Sequence, residues 1–185
     1  LAIEVLDEFV GGAREAAWPL VRTDLGLSYV QIGLLFSVPV FVGVLMEPAL
    51  GVLGDVWRRR TLILAGGALF AASLALYGSS QTFLILLISL AVFYPASEAF
   101  VSLSEASLMD SDPGRHEQNM ARWTFAGSLG VILGALVLAL AAATGLGWRA
   151  LFWAFAVATV PVLVAARGVP LGGAAETGEK RPASS

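Results

Sequence analysis

The chain has 185 residues, 57% of them apolar and 14% charged, with a formal net charge of −3 and a mean hydropathy of +0.80. Soluble domains carry roughly a quarter charged residues, so this chain has too few to cover a water-facing surface, and an all-α integral membrane protein is predicted. The lack of cysteine excludes disulfides and thiolate metal sites, and a single histidine, His116, excludes His-pair zinc sites and most histidine-dependent nucleophilic catalysis, so neither a metal, a cofactor nor an enzyme activity is expected.

A spanning helix needs about 20 mostly apolar residues. Residues 1–20 are the hard case, because they carry Glu4, Asp7, Glu8, Arg14 and Glu15. At helical spacing Glu4, Glu8, Gly11, Glu15 and Trp18 share a face, with Asp7 beside them. Such a helix can lie on a membrane surface or span it while facing a watery cavity. Residues 30–50 form an apolar span with Glu47 as its only charge. The stretch 61–105 is interrupted by Tyr77-Gly78-Ser79-Ser80-Gln81, a polar turn cluster, and divides into spans near 61–78 and 82–105. Residues 109–120, "MDSDPGRHEQNM", read as a polar loop in which His116 is a solvated residue. Spans near 121–144 and 148–166 follow. Residues 169–185 are Gly-, Ala- and Ser-rich and read as a disordered tail or linker. The chain begins at Leu1 rather than Met and shows no signal-peptide pattern, so a fragment of a longer protein is expected.

Six spans place Arg58, Arg59, Arg60, Arg115, Arg122, Arg167, Lys180 and Arg181 on one side and only Arg22 and Arg149 on the other. By the positive-inside rule both ends are then cytoplasmic, in a bacterial inner (plasma) membrane. Trp18, Trp57, Trp123 and Trp148 fall at helix ends, where interfacial anchoring is expected, and Trp153 falls inside the last span, where packing is expected.

Ionisable groups at membrane depth need a partner, water or a function. Glu98 and Glu105 lie two turns apart on one face of the fourth span, with Tyr94 one turn before Glu98 and Ser97, Ser102 and Ser104 nearby. With Glu4, Asp7, Glu8 and Glu15, they predict a water-accessible path lined by the first and fourth helices, in which carboxylates take a cation, protons or a polar solute and Arg14 is the counter-charge. The plainer alternative is structural, with Arg14 paired to a neighbouring acid. Gly127, Gly130 and Gly134 lie near one face of the fifth span and predict close helix packing.

The stretch Gly51-Val52-Leu53-Gly54-Asp55-Val56-Trp57-Arg58-Arg59-Arg60 resembles the signature loop of the major facilitator superfamily: Gly, three residues, Asp, a basic residue, any residue, Gly, then two basic residues. Gly51, Asp55, Arg59 and Arg60 match, while Val56 and Arg58 depart from it. The resemblance covers about residues 1–168 and implies a six-transmembrane-helix bundle, one half of a secondary transporter. It implies movement of a small solute by alternating access, with proton-coupled efflux as one form. A missing C-terminal half, or a second copy in a homodimer, would complete the cavity, and Asp55, Arg59 and Arg60 would belong to a cytoplasmic gating loop. The fourth helix lacks the arginine that many members carry, and Ala135 stands where some exporters have Pro. A non-transporting membrane scaffold or assembly subunit is the alternative.

Overall fold

The computed structural model describes residues 1–169, apart from the side chains of Asp55 and Pro113; the tail expected from 169 onward lies, beyond Val169, outside the described residues. The described residues form six α-helices: α1 (Ala2–Leu25), α2 (Tyr29–Val56), α3 (Arg59–Gly78), α4 (Phe83–Ser111), α5 (His116–Ala143) and α6 (Trp148–Ala166), with a single 3₁₀ turn at Pro113–Arg115. Five of them, α2 to α6, are long and apolar enough to cross a membrane. The first is long enough, but its charges set it apart.

Helix ends follow local chemistry. Gly26 ends α1 in the left-handed conformation (φ 61°), which costs a glycine nothing sterically, and the amide of Leu27 closes on the Arg22 carbonyl at 3.0 Å. Ser28 opens α2 with a capping box: its hydroxyl accepts from the Gln31 amide at 3.3 Å, and the Gln31 side chain accepts from the Ser28 amide at 2.9 Å. The Thr82 hydroxyl caps α4 through the Ile85 amide.

Two stretches read as loops are mostly helix. Of "MDSDPGRHEQNM", Met109 to Ser111 complete α4 and His116 to Met120 begin α5. Of "GVLGDVWRRR", Gly51 to Val56 finish α2 and Arg59-Arg60 begin α3, leaving Trp57-Arg58 as the turn. Polar sequence marks where helices leave an apolar environment, which is not where they stop.

Helix α1 packs along α5, α2 along α4, and α3 between α4 and α6. If α1–α3 and α4–α6 are taken as two triplets, exchanging them converts the α1/α5 pair into α4/α2 and leaves α3/α6 unchanged. That pairing is what a pseudo-two-fold between triplets produces. The core holds Val10, Val21, Ile63, Phe70, Leu86, Phe100 and Phe152, all fully buried. Most of α2 and the outer face of α5 remain uncovered, including Phe41, Leu45, Phe125 and Leu136. Three tryptophans depart from expectation. Trp123 and Trp148 are buried in the bundle, and Trp153, expected to pack inside, is 48% exposed. Tyr77 accounts for Trp148, since the two rings meet edge-on at 5.6 Å.

Candidate functional site

The α1/α5 seam is set by glycine. A Cβ on Gly130 would lie 2.8 Å from the Val5 carbonyl oxygen and 2.8 Å from the Glu8 Cβ, and one on Gly134 would strike the Phe9 carbonyl and sit 2.7 Å from the Ala13 amide nitrogen. From the other side, a Cβ on Gly12 would strike the Val131 carbonyl. The contacts advance together along both helices, from Glu4 with Gly127 to Ala13 with Gly134, so α1 and α5 run parallel with backbones in near contact.

This seam divides the charged residues of α1. Glu4, only 7% exposed, turns toward α5: its Oε1 lies 2.5 Å from where a Gly127 Cβ would be. Glu8 lies beside it over Gly127 and Gly130. Asp7 turns instead to α4, where its Oδ1 accepts a hydrogen bond from the Ser97 hydroxyl at 2.7 Å. Arg14, two turns further on, also reaches α4. Its guanidinium carbon stands 4.9 Å from the Phe93 ring centre and 5.2 Å from that of Tyr94. These two rings are nearly perpendicular, at 85°, and form a crook for the cation. Arg14 pairs with Glu15 at 3.4 Å, not with Asp7. Glu15 points outward, its side chain more than half exposed. Glu98 accepts from Ser102 on its own helix at 2.6 Å. Asp7, Arg14 and Tyr94 thus meet at the α1/α4 face with Glu98 next to Ser97, while Glu4 and Glu8 lie in the adjoining seam.

At the end of the bundle carrying the turn between α2 and α3, Arg59 pairs with Asp110 at 2.6 Å, tying the start of α3 to the last turn of α4. Arg59 is largely buried and Asp110 about half exposed. Gly51 and Arg60 are exposed, and the side chain of Asp55 lies outside the described residues. At the opposite end Arg149 clamps three elements. Its Nε and Nη2 donate to the Ser80 carbonyl at 3.1 and 2.9 Å, its Nη1 meets Asp24, and its guanidinium lies over the Trp148 ring. Sequence reading missed Asp110, Phe93 and this clamp. Asp110 sat in a stretch taken for loop, and Phe93 looked like one more apolar residue. For the clamp, the available signal was an acid beside the end of α1 and an arginine at the start of α6.

A sequence model of the Major Facilitator Superfamily matches residues 11–184. The chain belongs to the major facilitator superfamily. It is also similar to a chloramphenicol resistance protein of Streptomyces lividans, with 29% identity over 147 residues that make up 77% of this chain and 36% of that protein. The chain therefore spans about a third of the length of this curated relative. As a major facilitator chain with five helices able to cross a bilayer, it is an integral membrane protein. The resemblance first carried by Gly51, Asp55, Arg59 and Arg60 is thus matched by similarity along most of the chain.

Proposed function

We infer that this chain is one six-span half of a secondary transporter, in which α1 spans the bilayer with its charged residues facing a solute path along α1 and α4. Family membership supports transport, and the single observation that carries the site is the meeting of Asp7, Ser97, Arg14, Phe93 and Tyr94 across the α1/α4 face. Charged groups at membrane depth are tolerated where they line a polar path or find partners, and the Ser97 partner of Asp7 and the ring partners of Arg14 support such a placement. The path is completed by a second half, supplied by further chain or by a second copy, and it opens alternately to each side. The ends of the chain and the turn between α2 and α3 lie in the cytoplasm in this reading, which the distribution of arginines supports. The Arg59–Asp110 pair, with Asp55 near the end of α2 and Arg60 at the start of α3, then belongs to the cytoplasmic gate.

The name of the relative makes drug export the nearest instance, and chloramphenicol the first solute to test. The experiment reconstitutes the full-length protein that carries this chain in proteoliposomes and follows labelled chloramphenicol with and without an imposed proton gradient. Gradient-driven flux that Asp7→Asn abolishes is expected. Absence of flux for chloramphenicol and for charged solutes alike would count against transport and in favour of a scaffold role.

A further inference from the structure

We propose that Arg14 is a solute-binding residue that takes an acceptor oxygen of an uncharged, planar polar solute, with the Phe93–Tyr94 crook as its platform. This rests on the transport reading above and adds the class of solute to it.

Arginine stays charged and offers five donors in a fixed plane. Few of them are used among the described residues. Nη2 makes one long contact, 3.4 Å, with Glu15, whose side chain is 58% exposed. Nη1 is sealed from solvent and has no hydrogen-bond partner among the described residues. The acids on the α4 side are otherwise engaged: Asp7 by Ser97 at 2.7 Å, Glu98 by Ser102 at 2.6 Å. The ring faces of Phe93 and Tyr94 hold the guanidinium in place, and this contact leaves its N–H donors without an oxygen acceptor. A cation this well positioned and this poorly hydrogen-bonded is preorganised for an incoming oxygen. That oxygen has only to displace the exposed Glu15 carboxylate from the open edge. Because the far side of the guanidinium is dry, a charge-assisted hydrogen bond at its open edge is stronger than one made wholly in water.

The surroundings choose the solute's charge. Asp7, Glu15 and Glu98 lie on or beside this face, with Glu4 and Glu8 in the adjoining seam, so an anion that satisfies Arg14 faces a surplus of negative charge. A permanent cation suits the acids but is repelled where Arg14 stands. An uncharged solute with a carbonyl or nitro oxygen at one end and hydroxyl or amide donors at the other suits both: the oxygen to Arg14, the donors to Asp7. Seven helical residues separate Arg14 from Asp7, about 10 Å along α1, which is the length of a small aromatic solute. Tyr94 is itself packed against α2, where a Cβ on Gly43 would lie 3.3 Å from the Tyr94 Cβ, so the wall of the crook is fixed in position.

The test measures equilibrium binding to the purified full-length protein with three probes: chloramphenicol (uncharged, with nitro, amide and hydroxyl groups), tetraphenylphosphonium (cation) and salicylate (anion). Chloramphenicol should bind and the charged probes should bind more weakly. Arg14→Gln should weaken chloramphenicol binding about tenfold or more, and Arg14→Lys, which keeps the charge without the fork, should also weaken it. Glu15→Gln takes the charge from the competing acceptor, so it holds Arg14 less strongly, and should tighten binding about threefold. Unaltered chloramphenicol affinity in a folded Arg14→Gln protein overturns the proposal, as does preference of the parent for either charged probe. If Arg14→Gln does not fold, Glu15→Gln decides: tighter binding upholds the proposal, and unchanged or weaker binding overturns it. Transport itself fails only if none of the three probes is bound or moved, so the two failures are distinguishable.

Discussion

The parallel seam between α1 and α5 should tolerate no side chain at Gly134, although alanine is the better helix former. A Cβ there would strike the Phe9 carbonyl oxygen and lie 2.7 Å from the Ala13 amide nitrogen. Both obstacles are backbone, so no rotamer change relieves them and α1 must move off α5. Overpacking of this kind costs about 1–3 kcal/mol, and backbone obstacles put it near the upper end. The helix-propensity gain of alanine over glycine offsets about 1 kcal/mol. The clash therefore wins by about 1–2 kcal/mol, which at roughly 2–4 °C per kcal/mol lowers the melting temperature by several degrees. Gly33 in α2 is the control, because a Cβ there meets nothing within 4 Å. Gly33→Ala keeps only the propensity gain and should melt at or slightly above the parent. The assay is thermal unfolding of the full-length protein in detergent, followed by tryptophan fluorescence. A Gly134→Ala protein as stable as the parent would refute the close-approach reasoning, because the same substitution without a clash is stabilising.

Other expectations follow from the ion pairs and the α1/α4 contact. Arg59→Ala and Asp110→Ala, combined in a double-mutant cycle on thermal stability, should show a coupling of about 0.5–1 kcal/mol, modest because Asp110 is 45% exposed. A coupling of zero would mean that the pair does not tie α3 to α4. Arg149→Ala should cost about 1–3 kcal/mol, since it leaves the Ser80 carbonyl without two donors and Asp24 without its cation, and melting of the variant measures it. Ser97→Ala should slow solute flux while leaving the protein folded, and Asp7→Asn should slow it further; flux equal to the parent in both would remove Asp7 from the path.

The sequence made some parts of this molecule legible and hid others for physical reasons. Helix number and approximate position were readable because apolar runs of spanning length are hard to mistake. The small face of α5 was readable too, since glycines at helical spacing serve close packing whatever the partner. Which helix it would meet was not, and neither was Gly12, the reciprocal contact from α1. Periodicity put Glu4, Glu8 and Glu15 on one face of α1, but a face wide enough for three acids touches more than one neighbour. Glu4 and Glu8 meet α5, while Asp7 and Arg14 meet α4. Arg14 looked like a counter-ion for those acids because charge was the only signal available. Its aromatic partners come from α4, about eighty residues away, and no local pattern announces them. Asp110 was hidden because polarity was read as loop, although a helix that leaves the membrane stays helical in water.

On the proposed function, the α1/α4 face lines a watery solute path. The chain has no cysteine, so a single introduced thiol reports on its own position once any cysteines elsewhere in the full-length protein are replaced. Ser97→Cys, beside Asp7, is compared with Leu136→Cys on the uncovered apolar face of α5. A charged, membrane-impermeant thiol reagent should modify position 97, at a rate that changes when solute is added, and should leave position 136 untouched. An inert thiol at 97 together with a reactive one at 136 would place the water on the wrong side of the bundle and contradict the account.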